Sequence, residues 1–247
     1  MNWLWFPWPS CHYTILHPQC KYFALKGTRK WPVINRLLYS MNFATDFAAD
    51  SNGIPRLMLN GNSYVNPLVP TLYTALSAPA QSLNNPIIYG TGVNPYIISY
   101  GAIVEIDVTN HDDRAHSFHL HGHHFQIINC GSGGSFFPGL DSTPAIPLRR
   151  DTIVVYGGDT ATIRFVADNP GIQLFHCHTE WRVVGGMTAT FIEASTELVA
   201  QKLYMPASHR QICDNYGILR TGNAAGNSVN WLNLTGAPTQ APSSNWE

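Results

Sequence analysis

The stretch Phe175-His176-Cys177-His178 decides the fold and points to the chemistry of this chain, because a cysteine stands between two histidines at the end of an apolar run. Successive side chains of a β-strand point to opposite faces. His176 and His178 therefore share one face of a strand, and Cys177 lies on the other. If all three side chains bind metal, one short strand serves two metal sites joined by its backbone, which is the layout of an electron relay.

A second histidine-rich segment, His116-Ser117-Phe118-His119-Leu120-His121, supplies a matching set of side chains. His119 and His121 share one face of an extended chain, whereas His116 lies on the opposite side with Cys177. The two segments together predict one site that contains His116 and Cys177, and a second site made of two His-x-His pairs.

Copper is the metal that this donor set favours. A soft thiolate with imidazoles suits copper, and Met187, ten residues after Cys177, is placed to add a weak axial thioether. Paired imidazoles suit copper ions that bind dioxygen. Zinc is the competing interpretation, because cysteine and histidine also form tetrahedral zinc sites. Zinc does not explain why thiol and imidazoles alternate along one strand.

The composition is that of a globular chain with a large core. Of 247 residues, 45% are apolar and only 12% are charged, and the net charge is −1. With no basic run, the chain lacks the electrostatic footprint of a nucleic-acid-binding protein. No apolar run approaches the ~20 residues of a membrane helix, so no membrane span is predicted. The aromatic start, Met1 to Phe6, lacks the basic region and cleavage site of a convincing signal peptide.

Short strand-like segments separated by turn residues recur from residue 86 onward. Val104, Ile106 and Val108 alternate with polar residues, as in a half-buried strand. Such spacing predicts an all-β sandwich or Greek-key barrel. Two short helices are predicted in the tail, Thr196–Leu203 and Ser208–Tyr216, the second ending before Gly217. The predicted strands are Ile87–Tyr89, Tyr96–Ile98, Ala102–Val108, Phe125–Ile128, Thr152–Tyr156, Thr162–Val166, Ile172–His178 and Thr188–Ile192.

The motif His116-x-x-His119-x-His121-Gly122-His123, followed by His176-Cys177-His178, resembles the last, third cupredoxin domain of multicopper oxidases, the family of laccases and ferroxidases. Two further segments also resemble this family, and in particular its fungal members: Arg149-Arg150-Asp151-Thr152 and Ala167-Asp168-Asn169-Pro170-Gly171. The resemblance covers about residues 53–230. It implies a cupredoxin-like domain over 41–195, a divergent segment over 1–40, and a helical extension and tail over 196–247 that packs on the domain. It also implies a secreted protein, in the extracellular space or the secretory pathway.

The resemblance also implies a role for each residue of the copper motifs. In the family, type 1 copper takes single electrons from a phenol or Fe(II), and dioxygen becomes water at the type 2 and type 3 ions. Cys177 would pass the electrons on, and Asp112 would attract Fe(II) or take a proton from a phenol; the alternative for Asp112 is a turn residue. His123 matches no ligand of the family, and the resemblance implies a supporting role for it. The implied ligands are His116, Cys177 and Met187 for type 1, His119 for type 2, and His121, His176 and His178 for type 3 copper.

Two departures from the family pattern affect what the chain can do. The family places a second type 1 histidine five residues after the cysteine, where this chain has Arg182, whose protonated guanidinium cannot ligate copper. The family cluster also needs four His-x-His pairs, and this sequence supplies two, unless a second chain provides the rest. We therefore expect a truncated multicopper oxidase with an impaired blue site. The alternative is a non-catalytic or vestigial copper-binding cupredoxin module.

Overall fold

The computed structural model of the protein describes residues 39–131, 147–202 and 205–240. Most of the predicted N-terminal segment 1–40 lies outside the described residues, and so does Leu203, the predicted end of the first tail helix. The predicted division into 1–40, 41–195 and 196–247 stays a prediction. Strand β1 begins at Tyr39, two residues before the predicted start of the domain.

The described residues form two β-sheets that face each other. The first sheet has the order β2-β1-β4-β9-β6-β7 and the second β3-β11-β10-β5-β8. Neighbouring strands are antiparallel except for the pairs β1–β4 and β3–β11. This arrangement confirms the predicted all-β, cupredoxin-like sandwich. The strands are β1 (Tyr39–Ala49), β2 (Pro55–Leu59), β3 (Pro95–Ile98), β4 (Ile103–Asn110), β5 (His116–Leu120), β6 (Phe125–Cys130), β7 (Arg149–Arg150), β8 (Thr152–Val155), β9 (Thr160–Val166), β10 (Gly171–Cys177) and β11 (Thr188–Glu193).

The core lies between the sheets and is rich in aromatic rings. Phe118 of β5, Phe175 of β10 and Phe191 of β11 are fully buried. Phe175 stacks on both of the others, with ring centroids 5.3 Å from Phe118 and 6.0 Å from Phe191. Rings buried in this way stabilise a core strongly and fix side-chain directions. Cys177 belongs to the same buried cluster, so the strand that carries it is held rigidly.

Four short helices complete the described structure: α1 (Thr71–Ser77), α2 (Glu180–Val184), α3 (Ser195–Ala200) and α4 (Ala207–Asn215). The two tail helices lie within a few residues of their predicted positions, and Gly217 follows α4 with φ +64°, a conformation that favours glycine. Leu198 of α3 packs in a small apolar cluster with Ile88 and Ile192. Every helix in 39–131, 147–202 and 205–240 is too short or too polar to span a membrane.

One predicted strand is wrong, and five of the strands and α-helices named above were not predicted. Ile87–Tyr89 lies in a 3-10 turn (Pro86–Tyr89), because Pro86 starts the turn and the Asn85 side chain accepts a hydrogen bond from the Ile87 amide at 3.0 Å. No prediction matches strands β1, β2 and β7 or helices α1 and α2.

Candidate metal centre

Strands β5 and β10 lie side by side and bring the two histidine segments together. They pair antiparallel, with His119 directly opposite His176 and Phe118 opposite Cys177. Alternation along each strand then sorts the side chains as predicted. His116 and Cys177 are both fully buried on the core side, and His119 and His176 lie together on the other side, away from the core.

Four imidazole rings form a cluster on that side, which we call the imidazole cluster: His119, His121, His176 and His178. Their contacting pairs have ring centroids between 5.0 and 5.7 Å apart. Nε2 of His121 and Nε2 of His176 are 2.9 Å apart, a hydrogen bond between the two rings. The structure thus collects all four predicted members of the two His-x-His pairs.

Hydrogen bonds to the backbone fix two of these rings. Nδ1 of His176 donates to the Cys177 carbonyl at 2.9 Å, and Nδ1 of His119 donates to the Asp151 carbonyl at 2.9 Å. A ring that uses its only N–H at Nδ1 presents a lone pair at Nε2. Such a bond is also what orients metal-bound histidines and sets their tautomer. The two Nε2 atoms are therefore prepared to act as ligands.

The pKa values of His121 and His176 favour neutral rings. Burial, followed by the neighbouring imidazoles, lowers the pKa of His121 from 6.5 to about 4. Burial also lowers the pKa of His176 below its ordinary value, with His119 and His178 acting in the same direction. Metal binding requires the neutral imidazole. The donor chemistry of the cluster therefore fits copper.

The cluster does not have the geometry of a finished metal site. Within the described part of the chain, no three His, Cys, Asp or Glu side chains converge in the way that one ion would require. Three of the five ring contacts are instead edge to face, and His121 and His176 bond to each other. A metal ion would have to replace that bond. The site residues predicted from the sequence are thus brought together, and their role as ligands stays a prediction.

The second predicted site, which we call the thiol pocket, contains Cys177 and His116. Nε2 of His116 donates to Oδ2 of Asp112 at 2.9 Å. Burial on its own raises the pKa of the Asp112 carboxyl, but the hydrogen bonds from His116 and the Asp113 amide outweigh it and lower the pKa. Asp112 therefore orients the His116 ring and also sits in a turn, because the Asp113 amide donates to its Oδ1.

Arg182 fills the place where the family motif has a histidine. It lies on α2 and is only 6% exposed. Its Nη1 donates to the Ala115 carbonyl at 2.5 Å and to Nδ1 of His116 at 3.1 Å. The lone pair of His116 that a metal would need is therefore occupied by a cation. The thiol pocket does not fit a copper ion.

Met187, the predicted axial ligand, belongs to the same buried cluster as Cys177. Its backbone amide donates to the Arg182 carbonyl at 3.1 Å, and its carbonyl accepts from the Cys177 amide at 3.2 Å. The buried Met187 side chain also lines a cavity of about 330 Å³. Asp46, Asp112 and Asp113 line the same cavity, which gives it an acidic wall.

Two groups of supporting residues were not assigned by the sequence. The backbone carbonyl of Asp151 orients the His119 ring. In the sequence, only the family-like motif around Asp151 pointed to this residue. His123 donates from Nε2 to Glu193 at 2.6 Å, and both side chains are buried. Glu193 also accepts from the Asn169 amide at 2.8 Å. The sequence implied a supporting role for His123 but gave no sign of its partner, which lies 70 residues away.

Comparison with known proteins agrees with this geometry. A model of the multicopper oxidase family matches residues 64–197. The chain is 40% identical over 194 residues to the iron transport multicopper oxidase fetC of Epichloe festucae, covering 76% of this chain and 31% of that protein. It is 38% identical over 200 residues to the iron transport multicopper oxidase FET3 of Kluyveromyces lactis, covering 76% of this chain and 32% of the relative.

Solved structures show the same likeness. The crystal structure of Fet3p, a multicopper oxidase that functions in iron import, superposes with a TM-score of 0.78 at 31% identity, covering 86% of this chain and 42% of that one. The laccase from Botrytis aclada superposes with a TM-score of 0.51 at 21% identity, covering 72% and 32% of the two chains, which supports the fold alone.

A cupredoxin-like sandwich with clustered imidazoles defines a copper-protein class. The chain belongs to the multicopper oxidase family, as the sequence motifs predicted, and this family implies copper cofactors. It spans about a third of the length of the curated relatives it matches.

Proposed function

We propose that this chain is a copper-binding domain of a multicopper oxidase, an oxidoreductase that couples one-electron oxidation of Fe(II) or a phenol to the reduction of dioxygen to water. The observation that carries the proposal is the imidazole cluster. Four rings from two neighbouring strands lie together, and two of them are oriented by backbone carbonyls so that the lone pair is at Nε2; for His176, a metal ion would replace the bond from His121. Copper bound there would supply the redox chemistry.

The work of the chain is to hold the ligands. His119 and His176 are oriented by Nδ1–H bonds, so their Nε2 atoms need little reorganisation on binding. The lowered pKa of His121 keeps its ring neutral and ready to bind near neutral pH. The thiol pocket does not fit a metal, so we assign no electron step to it. Ligands that complete the cluster would come from beyond these four rings, from elsewhere in a longer protein or from a second chain.

Fe(II) is the reductant that we favour over a phenol. Carboxylates suit hard cations, and Asp46, Asp112 and Asp113 line the cavity beside Met187. Relatives named as iron transport oxidases support this choice. Each carboxylate oxygen of Asp112 accepts one hydrogen bond, from His116 or from the Asp113 amide, and each keeps a second lone pair that could face Fe(II). We also propose the extracellular or secretory location that the resemblance of the motifs implies.

Copper binding to the full chain tests the proposal. Equilibrium dialysis and electron paramagnetic resonance should detect copper held by nitrogen ligands. Because a supporting residue alone costs 10- to 100-fold in metal affinity, His176→Ala and His178→Ala should each weaken binding by at least about 10-fold. His124→Ala is the matched control, since this exposed histidine lies outside the cluster. Equal affinity in all three variants, or binding of zinc in preference to copper, would contradict the proposal.

A non-catalytic copper-binding module is the alternative function. The replacement of a type 1 ligand by Arg182 favours it, whereas the match to a family of oxidases favours the catalytic assignment. Oxygen uptake driven by Fe(II) separates the two, measured with the copper-loaded chain alone and with the other domains of a related oxidase added. Uptake that needs both partners supports the oxidase domain, and copper binding without uptake under either condition supports the module.

A further inference from the structure

The thiol pocket is complete without a metal ion. His116 has two ring nitrogens, and both are engaged: Nε2 donates to Asp112 at 2.9 Å, and Nδ1 faces Nη1 of Arg182 at 3.1 Å. A guanidinium is protonated at every accessible pH and has no acceptor atom, so Nη1 must be the donor. Nδ1 of His116 must therefore be the acceptor, and the bond to Asp112 fixes the matching Nε2–H tautomer.

The position of Arg182 is set by its surroundings rather than by an ion pair. Its backbone is held at both ends, because its amide donates to the Thr179 carbonyl at 2.8 Å and its carbonyl accepts from the Met187 amide at 3.1 Å. The guanidinium carbon lies 4.9 Å from the centroid of the Trp181 ring, a cation–π distance. Arg182 pairs with no carboxylate in the described part of the chain, and its buried Nε has no hydrogen-bond partner.

A buried cation held in this way needs electron-rich neighbours. Burying a charge is costly unless polar atoms compensate it. The compensating atoms here are the Ala115 carbonyl and Nδ1 of His116. Because Nε2 of His116 is bonded to Asp112, Nδ1 is the ring nitrogen that remains for an ion at the predicted metal site. The guanidinium and a metal ion therefore compete for one lone pair and for one place in the pocket.

We propose that the Arg182 guanidinium takes the place of a metal ion in the thiol pocket, so that this pocket binds no copper. The inference is independent of the proposed function, because it concerns the opposite face of β5 and β10. Arg182 excludes copper in two ways: it occupies Nδ1 of His116, and it places a fixed positive charge beside any incoming cation. Loss of the histidine ligand at position 182 is a third, separate defect.

Removing the Arg182 side chain distinguishes exclusion of copper by the guanidinium from the mere lack of a histidine ligand at position 182. Arg182→Ala opens space beside His116 but supplies no ligand, and added imidazole can provide the missing ring. The readout is the visible thiolate-to-copper absorption of the copper-loaded full chain, counted only where the Cys177→Ser substitution removes it, because the chain has five cysteines. Wild type should show no such band with or without imidazole. Arg182→Ala should gain an intense band when imidazole is added, and Arg182→His should show it without imidazole.

The controls make each outcome decisive. Cys177→Ser in the Arg182→His background should abolish the band, which assigns it to the thiol pocket. Circular dichroism and copper uptake by the imidazole cluster report whether each variant is folded. A thiolate-to-copper band in wild type would overturn the proposal. So would a folded Arg182→Ala variant that takes up copper at the cluster but gains no band with imidazole. Failure of the cluster to bind copper would refute the proposed function and leave this inference standing.

Discussion

Replacing Glu193 by alanine is expected to destabilise the domain by about 3 kcal/mol, because its buried carboxylate joins two segments next to the imidazole cluster. Glu193 accepts from Nε2 of His123 at 2.6 Å and from the Asn169 amide at 2.8 Å. The Asn169 side chain in turn donates to the Gly122 carbonyl at 3.0 Å. Each hydrogen bond to a charged group contributes about 1.5–3 kcal/mol. Two such bonds give about 3–6 kcal/mol, and relief of the carboxylate's own burial offsets part of this sum.

Urea denaturation followed by fluorescence measures this loss. A destabilisation of about 3 kcal/mol corresponds to a fall in Tm of roughly 6–12 °C for a chain of this size. Glu193→Gln keeps the shape and one acceptor, so it should cost less than Glu193→Ala. Asp168→Ala is the matched control, because Asp168 is 68% exposed and lies 3.9 Å from His123; its cost should stay within about 0.5 kcal/mol. A loss below about 1 kcal/mol in Glu193→Ala would refute the reasoning.

Three further predictions concern the same region. The pKa of His121 is about 4 in the folded protein and 6.5 in the unfolded chain. Between pH 4 and 6.5 the unfolded chain therefore binds more protons than the folded protein, so stability should fall as the pH drops from 6.5 to about 4. His121 is only partly buried and part of its side chain is exposed to solvent, so the loss is smaller than the full pKa shift implies. Urea midpoints across this window should change less with pH in His121→Asn, and an equally steep pH dependence in the variant would contradict the assignment. Gly122→Ala should destabilise the domain by about 1–2 kcal/mol because φ is +73° at this position. The new Cβ would also lie 2.6 Å from the Gln173 side chain, and Gln173→Ala removes that contact. Thermal denaturation should therefore show that the double variant recovers only part of the lost stability. Asp112→Asn keeps an acceptor for His116 and should cost only about 1 kcal/mol in urea denaturation; a much larger loss would show that the carboxylate charge itself holds the turn.

The sequence predicted the two faces of the site because strand alternation is a local property. The period of two along β5 and β10 places His119 and His176 on one side and His116 and Cys177 on the other, as predicted. The alternating burial of β4 follows from the same rule. The Ile87–Tyr89 strand failed because a β-branched pair resembles a strand, while Pro86 and the Asn85 cap favour a tight turn.

Long-range pairing accounts for what the sequence did not predict. Strand β1 pairs parallel with β4, whose Val104 lies opposite Tyr39, and no local pattern in the chain indicates that partnership. The His123–Glu193 pair joins residues 70 positions apart. For Arg182, side-chain chemistry alone predicted that it cannot ligate copper. Only the structure shows its Nη1 bonded to Nδ1 of His116.

The central claim is that copper binds at the imidazole cluster and not at the thiol pocket. A copper titration of the wild-type chain, followed at once by metal analysis, electron paramagnetic resonance and visible absorption, tests both halves directly. We predict bound copper with nitrogen ligands and no thiolate-to-copper absorption. Copper that binds with an intense thiolate band, or a chain that retains no copper at all, would contradict the account.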